Sequence, residues 1–280
     1  LVHFGVTVVD RDGEPVADLS QDDLEVYEDG ELQEIRYFSR GLNADTDTLP
    51  MHLGVLLDAS ASMGDDERTA KTAAIKFLNT LTYAVDITLV DFDDTVRVGR
   101  YSQRDFPRLV ERIRNLKPGV MTAFYDALGV YLDGAFEQDG RKVLLMYSDG
   151  YDTRSRMPFS ETLDLLRASD VTVYAIGFQG NIPSSDRQRE RMKLAQLTEI
   201  TGGWVFFPTE VEALDGIYEK ISRELDTRYG LGYTSTNAAA DGTWRQVEVK
   251  VKSRPELKDV STRSRRGYYA RYEDPDSYNR

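Results

Sequence analysis

The 280-residue sequence predicts an α/β chain: a doubly wound, mostly parallel sheet inserted in a small β-sandwich that both termini build. Three observations carry this. Apolar, strand-length runs alternate with helical stretches through the middle of the chain. Short period-two segments without helices lie at both ends. The ends also carry opposite charge: residues 1–48 hold 13 acidic and 3 basic residues, and residues 252–280 hold 8 basic and 5 acidic. Opposite tails that read alike suggest two halves of one unit. The expected boundaries are residues 1–47 with 229–275 for the sandwich and 48–228 for the central domain.

The elements follow in order. His3–Asp10 alternates in the β manner, with Phe4, Val6 and Val8 on one face, and stops at the turn signal Asp12-Gly13. Leu24–Tyr27 and Leu32–Phe38 read as strands around the turn Glu28-Asp29-Gly30. In the middle, Leu53–Asp58, Ile87–Phe92, Lys142–Ser148 and Val171–Gly177 are mostly apolar runs of buried-strand type. Between and after them, helices are expected over Asp66–Leu81, Asp105–Leu116, Ala123–Phe136, Ser160–Ala168, Asp186–Ile200 and Val211–Thr227. Strands return at Tyr229–Ser235, Trp244–Val251 and Tyr268–Tyr272, the second with Val247, Val249 and Val251 alternating against Glu248 and Lys250.

Composition narrows the chemistry. With 48 acidic and 35 basic residues the net charge is −13, which argues against nucleic acid or an anionic membrane as partner. No apolar run is long enough for a membrane-spanning helix. Cysteine is absent, so disulfides, thiolate metal sites and a cysteine nucleophile are excluded. His3 and His52 are the only imidazoles, and His52 at a strand start reads as a packed histidine. Site chemistry is left to carboxylates, hydroxyls and carbonyls, the ligands of hard cations. The chain begins at Leu1 without a Met, so an export signal is expected to have been removed or to lie outside it.

In a doubly wound sheet, ligands sit beyond the carboxyl ends of the strands. Asp58-Ala59-Ser60-Ala61-Ser62 follows the first central strand, and spacing of two sends Asp58, Ser60 and Ser62 to one side. By itself this string also reads as a helix N-cap cluster. Thr122 ends a loop that runs into a helix, and Asp149-Gly150 closes a strand. Two carboxylates with three hydroxyls make a poor proton-transfer set and a good shell for Mg2+ or Mn2+.

These residues resemble the metal-ion-dependent adhesion site of von Willebrand factor type A domains. The stretches MHLGVLLDASASM, ITLVDFDDTVRV, PGVMTAFYDALG and VLLMYSDGYD are similar to that family over roughly residues 50–228. Val120-Met121 stands where many relatives carry a Gly before the Thr. The end segments resemble the flanks of bacterial secreted proteins with a related domain. The likeness implies a Rossmann-like fold and direct or water-mediated binding of the ion by Asp58, Ser60, Ser62 and Thr122, with Asp149 acting through water. It also implies an open position for a Glu or Asp of a protein partner, and a secreted, periplasmic or cell-surface location. A further expectation is that the last helix, with apolar residues at Leu214, Ile217, Ile221 and Leu225, shifts when the site is occupied.

The loop from Asp58 to Asp66 is also similar to that of integrin β I-like domains, which would give Asp65 and Asp66 an adjacent Ca2+. The simpler reading, an acidic first helical turn shared with Glu67, is favoured. Asp126, one helical turn past Thr122, is expected to support the metal loops, and Asp152 to line the rim. Asp91, Asp93 and Asp94 are read as a solvated edge and its turn, and Tyr268, Tyr269 and Tyr272 as part of a half-buried strand. The alternatives to a binding module are a metal-dependent phosphoester hydrolase and a structural spacer with a vestigial site. No GxSxG, P-loop or HExxH is present, and the five-residue set is intact.

Overall fold

Parallel pairing in the middle of the chain and antiparallel pairing at its ends follow the two hydrophobic periods directly. The computed structural model describes residues 1–41, 50–64, 66–80, 84–210, 212–252, 257 and 259–272. Strands β1 (Val2–Val9), β2 (Leu24–Glu28), β3 (Glu31–Gln33) and β4 (Ile35–Arg40) come first. The central strands are β5 (Met51–Asp58), β6 (Asp86–Phe92), β7 (Val96–Ser102), β8 (Arg141–Ser148), β9 (Thr172–Gly177) and β10 (Val205–Phe206). The helices are α1 (Asp66–Thr80), α2 (Phe106–Asn115), α3 (Phe124–Phe136), α4 (Phe159–Ala168), α5 (Ser184–Glu199) and α6 (Ala213–Thr227). The chain closes with β11 (Tyr229–Tyr233), β12 (Trp244–Val251), β13 (Ser261–Ser264) and β14 (Gly267–Tyr269). It divides into two compact units, Leu1–Thr48 with Arg223–Arg280 and Leu49–Ser222.

The terminal unit has two antiparallel sheets of order β13-β1-β11-β4 and β14-β12-β2-β3. The alternating residues Phe4, Val6 and Val8 meet Leu24, Val26, Tyr229, Leu231, Val247 and Val249 in one core, so it is a sandwich. The run expected at Leu32–Phe38 is two strands. β3 closes a two-residue hairpin with β2, in which Asp29 and Gly30 both have positive φ (49° and 88°). After Glu34 the chain changes sheet, and β4 pairs with β11. Both halves alternate, so nothing in the period marks the crossing. β13 carries only Ser, Thr and Arg at a sheet edge and has no apolar pattern to announce it. β14 ends at Tyr269, which is exposed, while Tyr268 donates to the buried Glu28.

The central unit has one six-stranded sheet of order β10-β9-β8-β5-β6-β7, parallel except for the edge strand β7. β5 takes β6 on one side and β8 on the other, so the strand order reverses at β5 and β8. α3 packs Phe124, Leu128 and Leu132 against Leu56, Val90, Phe92, Leu144 and Met146. α1 buries Ala70, Ala73, Ala74, Phe77 and Leu78. β7 and the two-residue β10 are edge strands whose alternation is half exposed, and neither rises above its surroundings in the sequence. Among the described residues no helix is long and apolar enough to cross a membrane.

Candidate functional site

The reversal of strand order places the carboxyl ends of β5 and β8 side by side, the position where open α/β sheets bind ligands. β5 ends on Asp58 and β8 ends one residue before Asp149. Both carboxylates are buried, at 0% and 2% exposure.

Asp58 is held by hydroxyls and amides alone. Its Oδ1 accepts the Ser60 N–H at 3.0 Å and the Ser60 hydroxyl at 2.5 Å, and its Oδ2 accepts the Ser148 hydroxyl at 2.8 Å. The hydroxyl row continues, with Ser60 Oγ 2.9 Å from Ser62 Oγ and Ser62 Oγ 3.5 Å from Thr122 Oγ1. Asp149 Oδ1 accepts the Tyr151 N–H at 2.8 Å, while its buried Oδ2 has no hydrogen-bond partner. Burial and then the charge of Asp149 raise the Asp58 carboxyl to about 7, against the pull of the Ser60 and Ser148 hydrogen bonds. Burial, with the charge of Glu190, likewise pushes Asp149 up, against the Tyr151 N–H and the Ser62 hydroxyl.

The loops that bring these residues together are clamped. The Ala59 N–H donates to the Phe92 carbonyl at 2.8 Å, and the Gly119 N–H to the Ala59 carbonyl at 2.9 Å. Gly119 pairs with Ser60 across a β-bridge and presses on Asp93, where a Cβ would lie 2.4 Å from the Asp93 Cβ. This close approach requires glycine. Thr122, 2% exposed, donates its N–H to Thr153 Oγ1 at 3.0 Å, and its carbonyl accepts the N–H groups of Thr153 and Arg154 at 2.9 and 3.0 Å. The residues expected at the site therefore converge: Asp58, Ser60, Ser62 and Thr122 form one connected row, with Asp149 beside it.

The supporting acids have specific tasks. Asp126 accepts the N–H groups of Arg156 (3.1 Å) and Met157 (3.0 Å), so it holds the loop that follows Asp149. Asp152 accepts the Phe124 N–H at 2.9 Å and the Ser155 hydroxyl at 2.6 Å. It caps α3 from a distant loop, a tighter role than rim lining. Asp66 lies in the first turn of α1 and accepts the Gly180 N–H at 3.2 Å. Asp65 lies outside the described residues. His52 packs between Asp86 (2.8 Å) and the Asp139 carbonyl (3.0 Å) at the amino end of β5.

Asp91 overturns the expectation of a solvated edge. It is 0% exposed, its Oδ2 accepts Arg97 Nε at 2.6 Å, and its Oδ1 accepts Arg112 Nε at 2.9 Å and Arg112 Nη2 as well. Asp93 is also buried and takes both terminal nitrogens of Arg97 at 3.0 Å. Arg97 arrives from β7, which the sequence does not mark, and Arg112 from α2. Ser148 is a further residue that the sequence does not single out. It joins Asp58 to the Gly150 N–H (3.0 Å), and its position as the last residue of β8 was the available signal.

The donor set suits a hard cation on its own terms. Every donor is oxygen, and a buried carboxylate oxygen stands unpartnered, which costs the full desolvation penalty unless a positive group meets it. Among the described residues no cluster of three or more Asp, Glu or His could hold a metal, so the set is poor in carboxylates and rich in hydroxyls.

The profile of the von Willebrand factor type A domain matches residues 52–220. No curated protein sequence matches the chain. Among solved structures, the pilus adhesin SpaC from Lactobacillus rhamnosus GG, in its open conformation, is similar with a TM-score of 0.54 at 9% identity, over 90% of this chain and 48% of that one. The vWF domain of the type V pili tip protein Mfa5 from Porphyromonas gingivalis is similar with a TM-score of 0.51 at 14% identity, over 68% of this chain and 99% of that one. Proximal thread matrix protein 1 from the mussel byssus gives 0.51 at 16% identity, over 71% of this chain and 51% of that one. The chain thus spans about half the length of the mussel protein and of SpaC.

Proposed function

This chain belongs to the von Willebrand factor type A domain family, and from that premise we propose that it is a protein-binding module whose site grips an acidic side chain through Mg2+ or Mn2+. The observation that carries the reading is the constellation of Asp58, Ser60, Ser62, Thr122 and Asp149 at the strand reversal, with the Asp149 Oδ2 buried and unpartnered. An ion held by these residues would supply positive charge to which a partner's Glu or Asp could bind. With the ion bound, Asp58 would supply a negative oxygen, already oriented by Ser60 and Ser148. Ser60, Ser62 and Thr122 supply neutral oxygens, so the site's own charge falls short of compensating a cation strongly. That shortfall is what draws an outside carboxylate.

A secreted or cell-surface location is part of the proposal. It draws support from the similarity to a pilus adhesin and a pili tip protein, likenesses of fold alone. An adjacent Ca2+ would involve Asp66, whose carboxylate is engaged by Gly180.

The test is thermal unfolding of the whole chain. Ligand binding stabilises the folded state by mass action, by about 2.7 kcal/mol at roughly a hundred times Kd. Millimolar Mg2+ or Mn2+ is expected to raise the melting temperature by several degrees. Asp58→Ala is expected to remove that shift, and a melting curve unmoved by either ion would refute the metal reading.

A further inference from the structure

Thr122 is buried at 2% exposure, yet the two residues before it stand out in solvent: Val120 at 86% and Met121 at 42%. A lone exposed apolar residue needs no explanation. These two are different because their loop is clamped at both ends. Gly119 is held by the Ala59 carbonyl at 2.9 Å and by its bridge to Ser60. Thr122 is held on its N–H and its carbonyl by Thr153. Two apolar side chains are thus presented by a preorganised loop next to the site, so little conformational freedom remains to be lost on contact.

Charge points the same way. The segments 117–122 and 153–157 contain Lys117, Arg154 and Arg156 and no acidic residue, in a chain of net charge −13. All three cations are exposed. Among the described residues none of their side chains makes an ion pair or hydrogen bond, whereas the neighbouring Asp126 and Asp152 are occupied by backbone N–H groups. The Arg154 and Arg156 backbones are fixed by Thr122 and Asp126, so these cations are carried by the loop that clamps Thr122.

We propose that Val120 and Met121, with Lys117, Arg154 and Arg156, form a selective rim. It takes a protein segment in which the carboxylate reaching the site has an apolar neighbour and further acidic residues close by. The inference rests on the metal-site reading and adds which acidic segments are accepted. The apolar pair contacts the neighbour, and the cations meet the additional acids, whose charge also speeds encounter.

Selection from a library of displayed random dodecapeptides on the full chain in Mg2+ tests it. Enriched sequences are expected to place Leu, Ile, Met or Phe beside a Glu or Asp, with a second acid within a few residues. A synthetic peptide of the enriched sequence is expected to lose about tenfold in affinity on Val120→Ser and about fivefold on Arg154→Ser, with melting temperatures unchanged because both side chains are exposed. Enrichment of an acid with no preference at its neighbours, or variants that bind like the parent chain, would overturn the rim. Failure of the metal reading looks different: the same peptides would bind equally in chelator and to Asp58→Ala. Absence of any enriched peptide also overturns the rim, and retention on heparin that Arg154→Ser abolishes would assign the surface to a sulfated polysaccharide instead.

Discussion

Two pairs of buried aspartates lie near the carboxyl ends of adjacent strands in the central unit, and they are treated in opposite ways. Asp91 and Asp93, on and after β6, are met by two guanidinium groups, Arg97 and Arg112. Asp58 and Asp149, on and after β5 and β8, are met by hydroxyls and amide groups alone. Burial acts on both pairs, but the outcomes diverge. The Arg97 side chain holds the Asp93 carboxyl below the usual range despite its burial, whereas Asp58 is raised to about 7. Arg97 is in turn raised by Asp93 and Asp91, and Arg112, against its burial, by Tyr101 and Asp91. In β5–β6 register Asp58 sits opposite Phe92 and Leu57 opposite Asp91, so the two acids leave the sheet on opposite faces. The protein thus compensates one pair and leaves the other, the candidate site, lacking positive charge. Negative charge alone therefore does not distinguish the candidate site; missing compensation does.

The largest effect should come from breaking the compensated pair. Asp91→Ala leaves Arg112 with only the Tyr101 hydroxyl among the described residues, while Arg97 keeps Asp93. Both guanidinium groups are part-exposed, so the cost should fall at the lower end of the ~3–5 kcal/mol of a fully buried broken pair. Denaturant unfolding of the full chain should show that loss equally in Mg2+ and in chelator. A cost that changes with Mg2+ would show that the Arg network and the candidate site form one unit, and the comparison would collapse.

The uncompensated pair should respond with the opposite sign. Asp58 has a folded value of about 7 against 3.8 for a free carboxyl, so the metal-free folded state binds the proton more tightly than the unfolded chain. Its contribution is therefore complete below about pH 4 and is lost as pH rises to about 7, at roughly 1.36 kcal/mol for each unit of separation. Asp58→Asn should flatten that pH dependence and raise metal-free stability at neutral pH by ~1–3 kcal/mol. It should also abolish the stabilisation by Mg2+. Equal destabilisation with and without Mg2+ would instead make Asp58 a structural acid like Asp91.

Much of this contrast was legible in the sequence, for physical reasons. Asp58, Ser60 and Ser62 share a strand end, and their spacing of two survives folding as a connected hydroxyl row. Thr122 and Asp149 follow from the rule that sites gather where strand order reverses. Asp91 reads as solvated in the sequence because its compensation is non-local. Arg97 comes from an edge strand with no distinct apolar period, and Arg112 from a helix whose polar face reads as solvent-facing. Period reports which face of an element is buried, but it does not report which distant cation turns toward a buried acid. The split of Leu32–Phe38 into β3 and β4 failed to show for the same reason, since alternation is identical in the two sheets it joins.

Asp152 gives the smallest effect and the finest discrimination, because it lies near the site yet its contacts are those of a cap. Its Oδ1 accepts the first N–H of α3 and the Ser155 hydroxyl, a pattern that satisfies an orphan helix donor from outside the helix. Asp152→Ala should cost ~1 kcal/mol, the usual worth of a lost N-terminal cap. The shift produced by Mg2+ should persist, because the hydrogen bonds between Thr122 and Thr153 remain in place without the Asp152 side chain. Calorimetric titration of the variant with Mg2+ separates the two roles. An affinity unchanged within about twofold assigns Asp152 to the helix. A fall of tenfold or more would mean that the carboxylate tunes the site's charge, and would move it from the compensated acids to the uncompensated ones.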